Sequence, residues 1–276
     1  MQKRVITAVV AIAIFLPILI WSNTVVFALA MGVLCAIASA EMLRCVGLLR
    51  LYPISIPMIA VGAVLPVLPY WLERTTLEHI GITTLVVASL YLFAVMTFSH
   101  GKITLTNVGN ALLTGFYIIA AFCAMSALRY RTAVGEYVYL ICFIGAWVTD
   151  IFAYFSGYFL GKHKLIPEIS PKKTVEGSIG GILFCGGAFV LYGIAISHFV
   201  ETADRMNLAL LFFYGIIVSV VSQIGDLSLS AVKRHYGIKD FGKIFPGHGG
   251  ILDRFDSILA VSLVLFVLNE FASVFR

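Results

Sequence analysis

The chain has 276 residues, of which 61% are hydrophobic and only 12% are charged, against roughly 45–50% and 25% in soluble globular proteins. A water-soluble fold is excluded, because a globule of this size needs far more polar and charged side chains to cover its surface. The formal net charge of +5 does not by itself indicate nucleic acid as a partner. The composition therefore predicts a protein that resides in the lipid bilayer.

Nine apolar stretches are long enough to cross a bilayer as helices, which takes about 20 mostly apolar residues. The predicted fold class is all-α, a polytopic integral membrane helical bundle with about nine transmembrane helices. Only Ser22, Asn23 and Thr24 separate the first two stretches, so these form either a tight hairpin or one long interfacial helix and a single span. The predicted spans are 5–21, 25–41, 53–71, 79–98, 107–127, 138–160, 178–199, 207–231 and 251–275.

Most basic residues fall in loops on one predicted side of the membrane. With nine spans, 14 of the 19 Lys and Arg residues share that side, and basic loops tend to remain in the cytoplasm. This rule places the N-terminus and the two longest polar loops, 161–177 and 232–250, in the cytoplasm. The five basic residues on the other side are Arg74, Arg129, Arg131, Arg205 and Arg276.

Acidic residues in or beside the predicted spans concentrate in the C-terminal half, at Asp150, Asp226, Asp253 and Asp256. Each carboxylate at mid-bilayer costs about 2.5–3.5 kcal/mol on insertion scales, so several together indicate a polar cavity or a metal site. Asp253 and Asp256 have an alternative explanation, because acids in the first turn of a helix interact favourably with its dipole. Asp226 lies deep in an apolar span and lacks that explanation.

Asp226 also belongs to a polar stripe. Ser222, Asp226, Ser230 and Lys233 follow one another at spacings of three or four residues, which places them on one face of a helix. The spacing therefore predicts that the hydroxyl and ammonium groups lie beside the carboxylate.

Two polar loops carry residues suited to phosphate. The loop at 161–177 contains Ser-Pro-Lys-Lys-Thr at 170–174, and ammonium and hydroxyl groups bind polyphosphates, although an ordinary basic loop has the same composition. The loop at 232–250 ends in Pro-Gly-His-Gly-Gly at 246–250. Its glycines let the backbone approach a ligand, and N–H groups at a helix start bind anions. The carboxylates one turn later suit Mg²⁺, which usually takes one or two carboxylates plus substrate phosphates.

The run from Ser230 to Asp256 resembles the C-terminal motif of the phosphatidate cytidylyltransferases, also called CDP-diacylglycerol synthases. In pattern form it reads S-x-x-K-R-x4-K-D-x5-P-G-H-G-G-x-x-D-R-x-D. Gly-Asp-Leu at 225–227, Gly-Lys-His-Lys at 161–164 and the segment 170–177 also look like family elements. The strong likeness covers residues from about 150 to 256. Ile151 and Leu229 depart from the family, which often has a small hydroxyl residue and a Glu at these positions.

The resemblance implies an integral membrane nucleotidyltransferase that converts CTP and phosphatidic acid into CDP-diacylglycerol and pyrophosphate. Its site would face the cytoplasm, in a bacterial inner membrane, with Mg²⁺ as cofactor and room for a second cation. Residues 1–137 would supply N-terminal transmembrane helices, and residues 138–276 the C-terminal catalytic region. CTP, phosphatidic acid and the bilayer are the expected partners. A homodimer is also compatible with a bundle of this apolar composition.

Carried over residue by residue, the resemblance implies three groups of site residues. The expected metal ligands are Asp226, Asp253 and Asp256. The expected substrate-binding residues are Ser170, Lys172, Lys173, Thr174, Ser230, Gly247, Gly249 and Gly250. The expected catalytic residues are Lys233, Arg234, Lys239, Asp240, His248 and Arg254. The basic members would neutralise charge as pyrophosphate departs, and His248 would either act as a general acid or base or orient a phosphate.

Two other functions compete with this one. An ion-coupled transporter or channel would explain Asp150 and Asp226 but gives the two loops no role. Another CTP-using membrane enzyme, such as a lipid kinase, would share the acids and lysines but transfer the terminal phosphoryl group. The released product separates the two enzymes, because a kinase releases CDP and a cytidylyltransferase releases pyrophosphate.

Overall fold

The computed structural model describes residues 2–132, 134–197 and 207–271. The predicted ends of the seventh and ninth spans, near 199 and 275, lie outside these ranges, as do Arg205 and Arg276. The helices are α1 (Gln2–Ile20), α2 (Val25–Cys45), α3 (Tyr52–Val64), α4 (Arg74–Phe98), α5 (Leu105–Asn110), α6 (Phe116–Tyr130), α7 (Gly135–Leu160), α8 (Val175–Ser197), α9 (Leu208–His235) and α10 (Leu252–Phe271). A 3₁₀ turn, Leu65–Tyr70, extends α3, and a π-helical turn, Ala111–Gly115, joins α5 to α6.

The predicted all-α membrane fold is confirmed, but the count of nine spans is not. Within the described ranges, seven helical segments are long and apolar enough to cross a membrane. The first and last predicted spans are helices that do not meet that criterion. The apolar part of α1 is short, Val9–Ile20, and α10 begins with the charged residues Asp253, Arg254 and Asp256.

Several helices extend beyond the predicted spans because charged residues continue them. Glu136 lies in the first turn of α7, and Lys233, Arg234 and His235 lie in the last turn of α9. Acids near the start of a helix and bases near its end are stabilised by the helix dipole. Dividing the sequence at its charges therefore places such helix ends too early.

The first two apolar stretches form two helices joined by a short turn. Thr24 caps α2, since its hydroxyl oxygen accepts the Val26 N–H at 3.3 Å. The Arg129 Nε donates to Ser22 Oγ at 3.0 Å, and the Tyr130 hydroxyl donates to Thr24 O at 2.8 Å. These bonds fix the turn to the end of α6. Two helices joined by a short turn agree with both predicted alternatives, the tight hairpin and one interfacial helix with a single span, because α2 meets the length criterion for a span and α1 does not.

One compact unit comprises residues 1–131 and 238–254. Its core is α2, which packs against α3 and α6 and buries Phe27 and Met31 completely. Close packing depends on small residues, as is usual between membrane helices. A Cβ atom at Gly62 of α3 would lie 3.1 Å from Ser39 Oγ of α2. The C-terminal half of α2 is thus held firmly, and it carries Glu41.

The second compact unit comprises residues 132–237 and 255–276, and its helices α7, α8 and α9 pack against one another. Glycines of α8 face its neighbours: a Cβ at Gly181 would lie 3.0 Å from Thr149 O of α7. On the other side, a Cβ at Gly215 of α9 would lie 2.7 Å from Gly186 Cα. The Thr149 hydroxyl also donates to Ser219 Oγ at 2.9 Å, which ties α7 to α9.

The segment predicted as a loop at 161–177 contains a β-hairpin. Strand β1 (Lys164–Ile166) pairs with the antiparallel strand β2 (Ser170–Thr174). The His163 Nδ1 lies 2.7 Å from Glu176 Oε1, which anchors the start of the hairpin to the first turn of α8. The hairpin was missed because three residues of β1 give no recognisable alternation. It holds the predicted phosphate-binding lysines on a strand.

We expect Gly215→Ala to lower the free energy of unfolding by about 1–3 kcal/mol, because overpacking of this kind forces backbone shifts. The added methyl would meet the backbone of Cys185 and Gly186. The measurement is the thermal unfolding midpoint of the detergent-solubilised protein. Gly187→Ala in α8 is the matched control, since nothing lies within 4 Å of that Cβ position. Equal midpoints for the two variants would contradict close packing of α8 and α9.

Candidate active site

The two lysines predicted to bind substrate point to different sides of strand β2. Lys172 is exposed and Lys173 is half-buried, as expected from the alternation of side chains along a strand. Thr174 is buried, and its hydroxyl oxygen accepts the Gly177 N–H at 3.1 Å, so it caps the start of α8. Ser170 is half-buried at the other end of β2. Two of these four predicted substrate-binding residues therefore face the helices: Lys173, and Thr174, whose hydroxyl lies against Gly157 of α7.

Lys173 reaches the central carboxylate of α9. Its Nζ lies 2.5 Å from Asp226 Oδ2. The Ser230 hydroxyl donates to Asp226 Oδ1 at 3.3 Å, which confirms that the two residues share one face of the helix. Lys233, one turn further, is 8% exposed. The intramembrane aspartate thus has a cation and a hydroxyl on its two oxygens.

A second carboxylate is brought beside Asp226 because α9 and α10 approach closely. A Cβ at Gly225 would lie 2.6 Å from Ala260 Cβ and 2.9 Å from Asp256 O, so the glycine permits the contact. Asp256 interacts electrostatically with Asp226, Lys233 and, more weakly, Asp150. The second unit therefore gathers five of the predicted site residues, which are Lys173, Asp226, Ser230, Lys233 and Asp256.

The Gly-rich part of the motif forms a tight turn in the first unit. Phe245 N–H donates to Gly249 O at 2.9 Å, and His248 N–H donates to Phe245 O at 2.8 Å. Gly247 and Gly249 have φ angles of 80° and 85°, a conformation that glycine adopts readily. The His248 Nδ1 is buried and has no hydrogen-bond partner among the described residues. Both roles predicted for this histidine remain open.

The Asp253 carboxylate is hydrogen-bonded to the backbone of that turn. It is 7% exposed, and its Oδ2 accepts the Phe241 N–H at 2.8 Å and the Gly250 N–H at 2.9 Å. A first-turn carboxylate that accepts backbone N–H groups stabilises the start of a helix. Asp253 thus orders the turn, and the Gly250 N–H predicted as a phosphate donor is bonded to this carboxylate.

Glu41 of α2 was missed by the sequence analysis. It is 3% exposed, and its two carboxylate oxygens accept the N–H groups of Ile251 and Leu252 at 3.1 and 2.9 Å. The signal was present, because Glu41 is an acid at the end of an otherwise apolar run.

The remaining predicted catalytic residues lie at the surface. Arg234, Lys239, Asp240 and Arg254 are all exposed. An exposed lysine or arginine that binds an anionic substrate loses side-chain entropy. Their predicted role in neutralising phosphate charge is untested by the structure.

The acidic side chains of the site are the donors available to a divalent cation. Within the described ranges, no three His, Cys, Asp or Glu residues group as a complete metal site. Asp226 and Asp256 nonetheless supply two neighbouring carboxylates, and Mg²⁺ commonly takes only one or two, with substrate phosphates and water completing its shell. The residues present therefore fit Mg²⁺ bound together with a nucleotide.

The fold and these groups together define a polytopic membrane protein whose polar site is suited to phosphate groups. The chain belongs to the cytidylyltransferase family, whose sequence profile matches residues 2–272.

Curated relatives cover nearly the whole chain. A protein of Staphylococcus haemolyticus is 37% identical over 270 residues, which is 97% of this chain and 98% of its own. Proteins of Staphylococcus aureus strain COL and Staphylococcus epidermidis strain ATCC 12228 are each 35% identical, over 268 and 272 residues, with the same coverage. All three relatives carry the name phosphatidate cytidylyltransferase.

We expect the contact between Lys173 and Asp226 to stabilise the fold cooperatively. In a double-mutant cycle of Lys173→Met and Asp226→Asn, the coupling free energy should be about 0.5–3 kcal/mol, as for other residues in direct contact. Thermal unfolding in detergent measures all four proteins. The control cycle replaces Lys173→Met by Lys172→Met, because Lys172 is exposed, and should show coupling near zero. Equal coupling in both cycles would mean that the ion pair does not form.

Proposed function

We propose that this protein is a phosphatidate cytidylyltransferase, which transfers CMP from CTP to phosphatidic acid and releases pyrophosphate. The product, CDP-diacylglycerol, is a precursor of phospholipids. The observation that carries the proposal is the grouping of Lys173, Asp226 and Asp256, three residues of the family's motifs. Relatives of that name, which are 35–37% identical over 97% of the chain, support the same conclusion.

The reaction needs charge neutralisation more than a strong base. The nucleophile is an oxygen of the lipid phosphate, whose second pKa is about 6, so it is already largely ionised at neutral pH. It attacks the α-phosphorus of CTP, and the bond to the β-phosphate oxygen breaks as pyrophosphate leaves. Two anions must approach each other, and a third anion must depart. Lys173 lies beside Asp226, and Lys233 interacts with Asp256. Their positive charges would offset the repulsion between the phosphates of the two substrates.

Mg²⁺ is the proposed cofactor, with Asp226 and Asp256 as its protein ligands. Bound with the triphosphate, it would withdraw charge from the phosphate oxygens and so make the α-phosphorus easier to attack. Lys173 already neutralises Asp226, and that ammonium is free to turn to a substrate phosphate once another cation takes its place. The predicted metal role of Asp253 remains a prediction, and its Oδ2 already accepts two backbone N–H groups. The second cation and the homodimer also remain predictions.

A product assay tests the proposal. The purified protein in phosphatidic acid-containing mixed micelles, given labelled CTP and Mg²⁺, should form CDP-diacylglycerol and pyrophosphate in equal amounts. EDTA should stop the reaction and excess Mg²⁺ restore it. Asp256→Asn should lower kcat/KM about 10²-fold or more, as when one group that stabilises transition-state charge is removed, and should raise the Mg²⁺ concentration required.

The control variant is Glu168→Gln, because Glu168 is exposed in the turn between β1 and β2 and should leave kcat/KM unchanged. Release of CDP without pyrophosphate would instead identify a lipid kinase. If the folded protein forms no CTP-dependent product, the result would contradict enzymatic function and favour an ion-coupled transporter. Normal activity of Asp256→Asn would remove that residue from the site.

The active site is proposed to face the cytoplasm of a bacterial inner membrane. The charge asymmetry of the loops supports this orientation. Within the first unit, the Thr7 hydroxyl donates to Pro246 O at 3.2 Å, and Glu41 at the end of α2 holds Ile251 and Leu252. These bonds agree with the prediction that the N-terminus, the end of α2 and the loop at 232–250 share one side.

Cysteine labelling in intact bacterial spheroplasts measures the orientation. In a background where all five native cysteines are replaced, Glu168→Cys should react with a membrane-impermeant maleimide only after the membrane is broken. Glu73→Cys, which precedes α4 on the predicted outer side, should react in intact spheroplasts. Labelling of Glu168→Cys from outside would overturn the proposed orientation.

A further inference from the structure

The buried carboxylate of Glu41 lies far in sequence from the motif it contacts. It belongs to α2, and its partners Ile251 and Leu252 are 210 and 211 residues further along the chain. Both carboxylate oxygens accept a backbone N–H at the start of α10. These two amides are among the first N–H groups of a helix, which have no partner within the helix itself.

The two carboxylates at this helix start divide the backbone donors between them. Asp253 Oδ2 accepts the N–H groups of Phe241 and Gly250, and Glu41 accepts the next two, from Ile251 and Leu252. Three consecutive amides, 250–252, are thus bonded to acidic side chains of the protein. The end of the Gly-rich turn is thereby fixed from both sides.

Two glycines in the stretch covered by the motif, Gly242 and Gly250, lie directly against Glu41. A Cβ atom at Gly250 or at Gly242 would collide with Glu41 Oε1, and at Gly242 it would also lie 2.7 Å from Glu41 Cδ. Neither position has a left-handed backbone that would itself demand glycine, unlike Gly247 and Gly249. The absence of a side chain at 242 and 250 is therefore explained by the space that the Glu41 carboxylate occupies.

We propose that Glu41 is a positioning residue for the reaction, which holds the turn at 241–252 in its working shape from the N-terminal half of the chain. The inference rests on the proposed function for its effect on turnover. Its structural part, that Glu41 holds Ile251 and Leu252, depends only on the two hydrogen bonds. Both oxygens of Glu41 are bonded to backbone N–H groups, so it would act on the reaction through the backbone of a loop that carries predicted substrate-binding residues.

The test combines kinetics with hydrogen–deuterium exchange measured by mass spectrometry in the same detergent. Glu41→Gln keeps the size of the side chain but presents an amide N–H₂ group to one of the two backbone donors. We expect peptides covering 241–252 to exchange at least about tenfold faster. We expect kcat to fall about tenfold or more with a smaller change in KM for CTP, because ~1 Å of misplacement can cost about 10²-fold in rate.

Glu78→Gln is the matched control, since Glu78 is an exposed glutamate of α4 that pairs with Arg74. It should leave the exchange at 241–252 and kcat unchanged. Peptides covering the hairpin at 164–174 should exchange at the normal rate in both variants, which separates local loosening from global unfolding. Gly250→Ala should accelerate exchange at 241–252 in the native background and add nothing in Glu41→Ala.

The outcomes distinguish this inference from the proposed function. An inactive wild-type protein would defeat the proposed function, while the exchange data would still decide whether Glu41 holds the turn. An active wild type with unchanged exchange in Glu41→Gln would contradict the inference that Glu41 holds the turn at 241–252. Faster exchange with normal kcat would show a purely structural residue, and a lower kcat without faster exchange would show another mechanism; both results overturn the positioning role.

Discussion

Charge burial in a lipid-embedded protein is the constraint on which the rest of this structure depends. An ionised carboxylate within the bilayer is costly unless a cation, a hydroxyl or a backbone N–H group compensates it. Asp226 has Lys173 and Ser230, Asp253 has two backbone N–H groups, and Glu41 has two others. Each compensating contact fixes a segment, so the few charges determine where the hairpin, the Gly-rich turn and α10 lie.

Close helix approach makes these contacts reachable. A polar side chain of ordinary length can bridge two membrane helices only when their backbones come near, which small residues allow. Gly225 serves the pair α9 and α10, and Gly181 and Gly215 serve α8 with its two neighbours. The glycines in the helices and the acids in the site therefore act together. A bulkier residue at Gly225 would separate Asp226 from Asp256 without altering either carboxylate.

Much of the fold was predictable, because a hydrophobic run of sufficient length has few alternatives to a membrane helix. Seven long apolar helices agree with the predicted spans within a few residues, and the stripe from Asp226 to Ser230 is confirmed by a hydrogen bond. The hairpin was not predictable, since its strands are short and polar. Glu41 was missed because its partners are backbone amides. Every residue except proline has a backbone N–H group, so the residue types at 251 and 252 do not indicate the contact.

The pairing of Lys173 with Asp226 bears on how the chain enters the membrane. Synthesis proceeds from the N-terminus, so the hairpin that carries Lys173 leaves the ribosome before α9 brings its aspartate into the bilayer. The counterion is thus synthesised before its carboxylate, and both belong to the same compact unit. In this order of the two motifs, the cation that compensates the intramembrane carboxylate is available from the moment that α9 is complete.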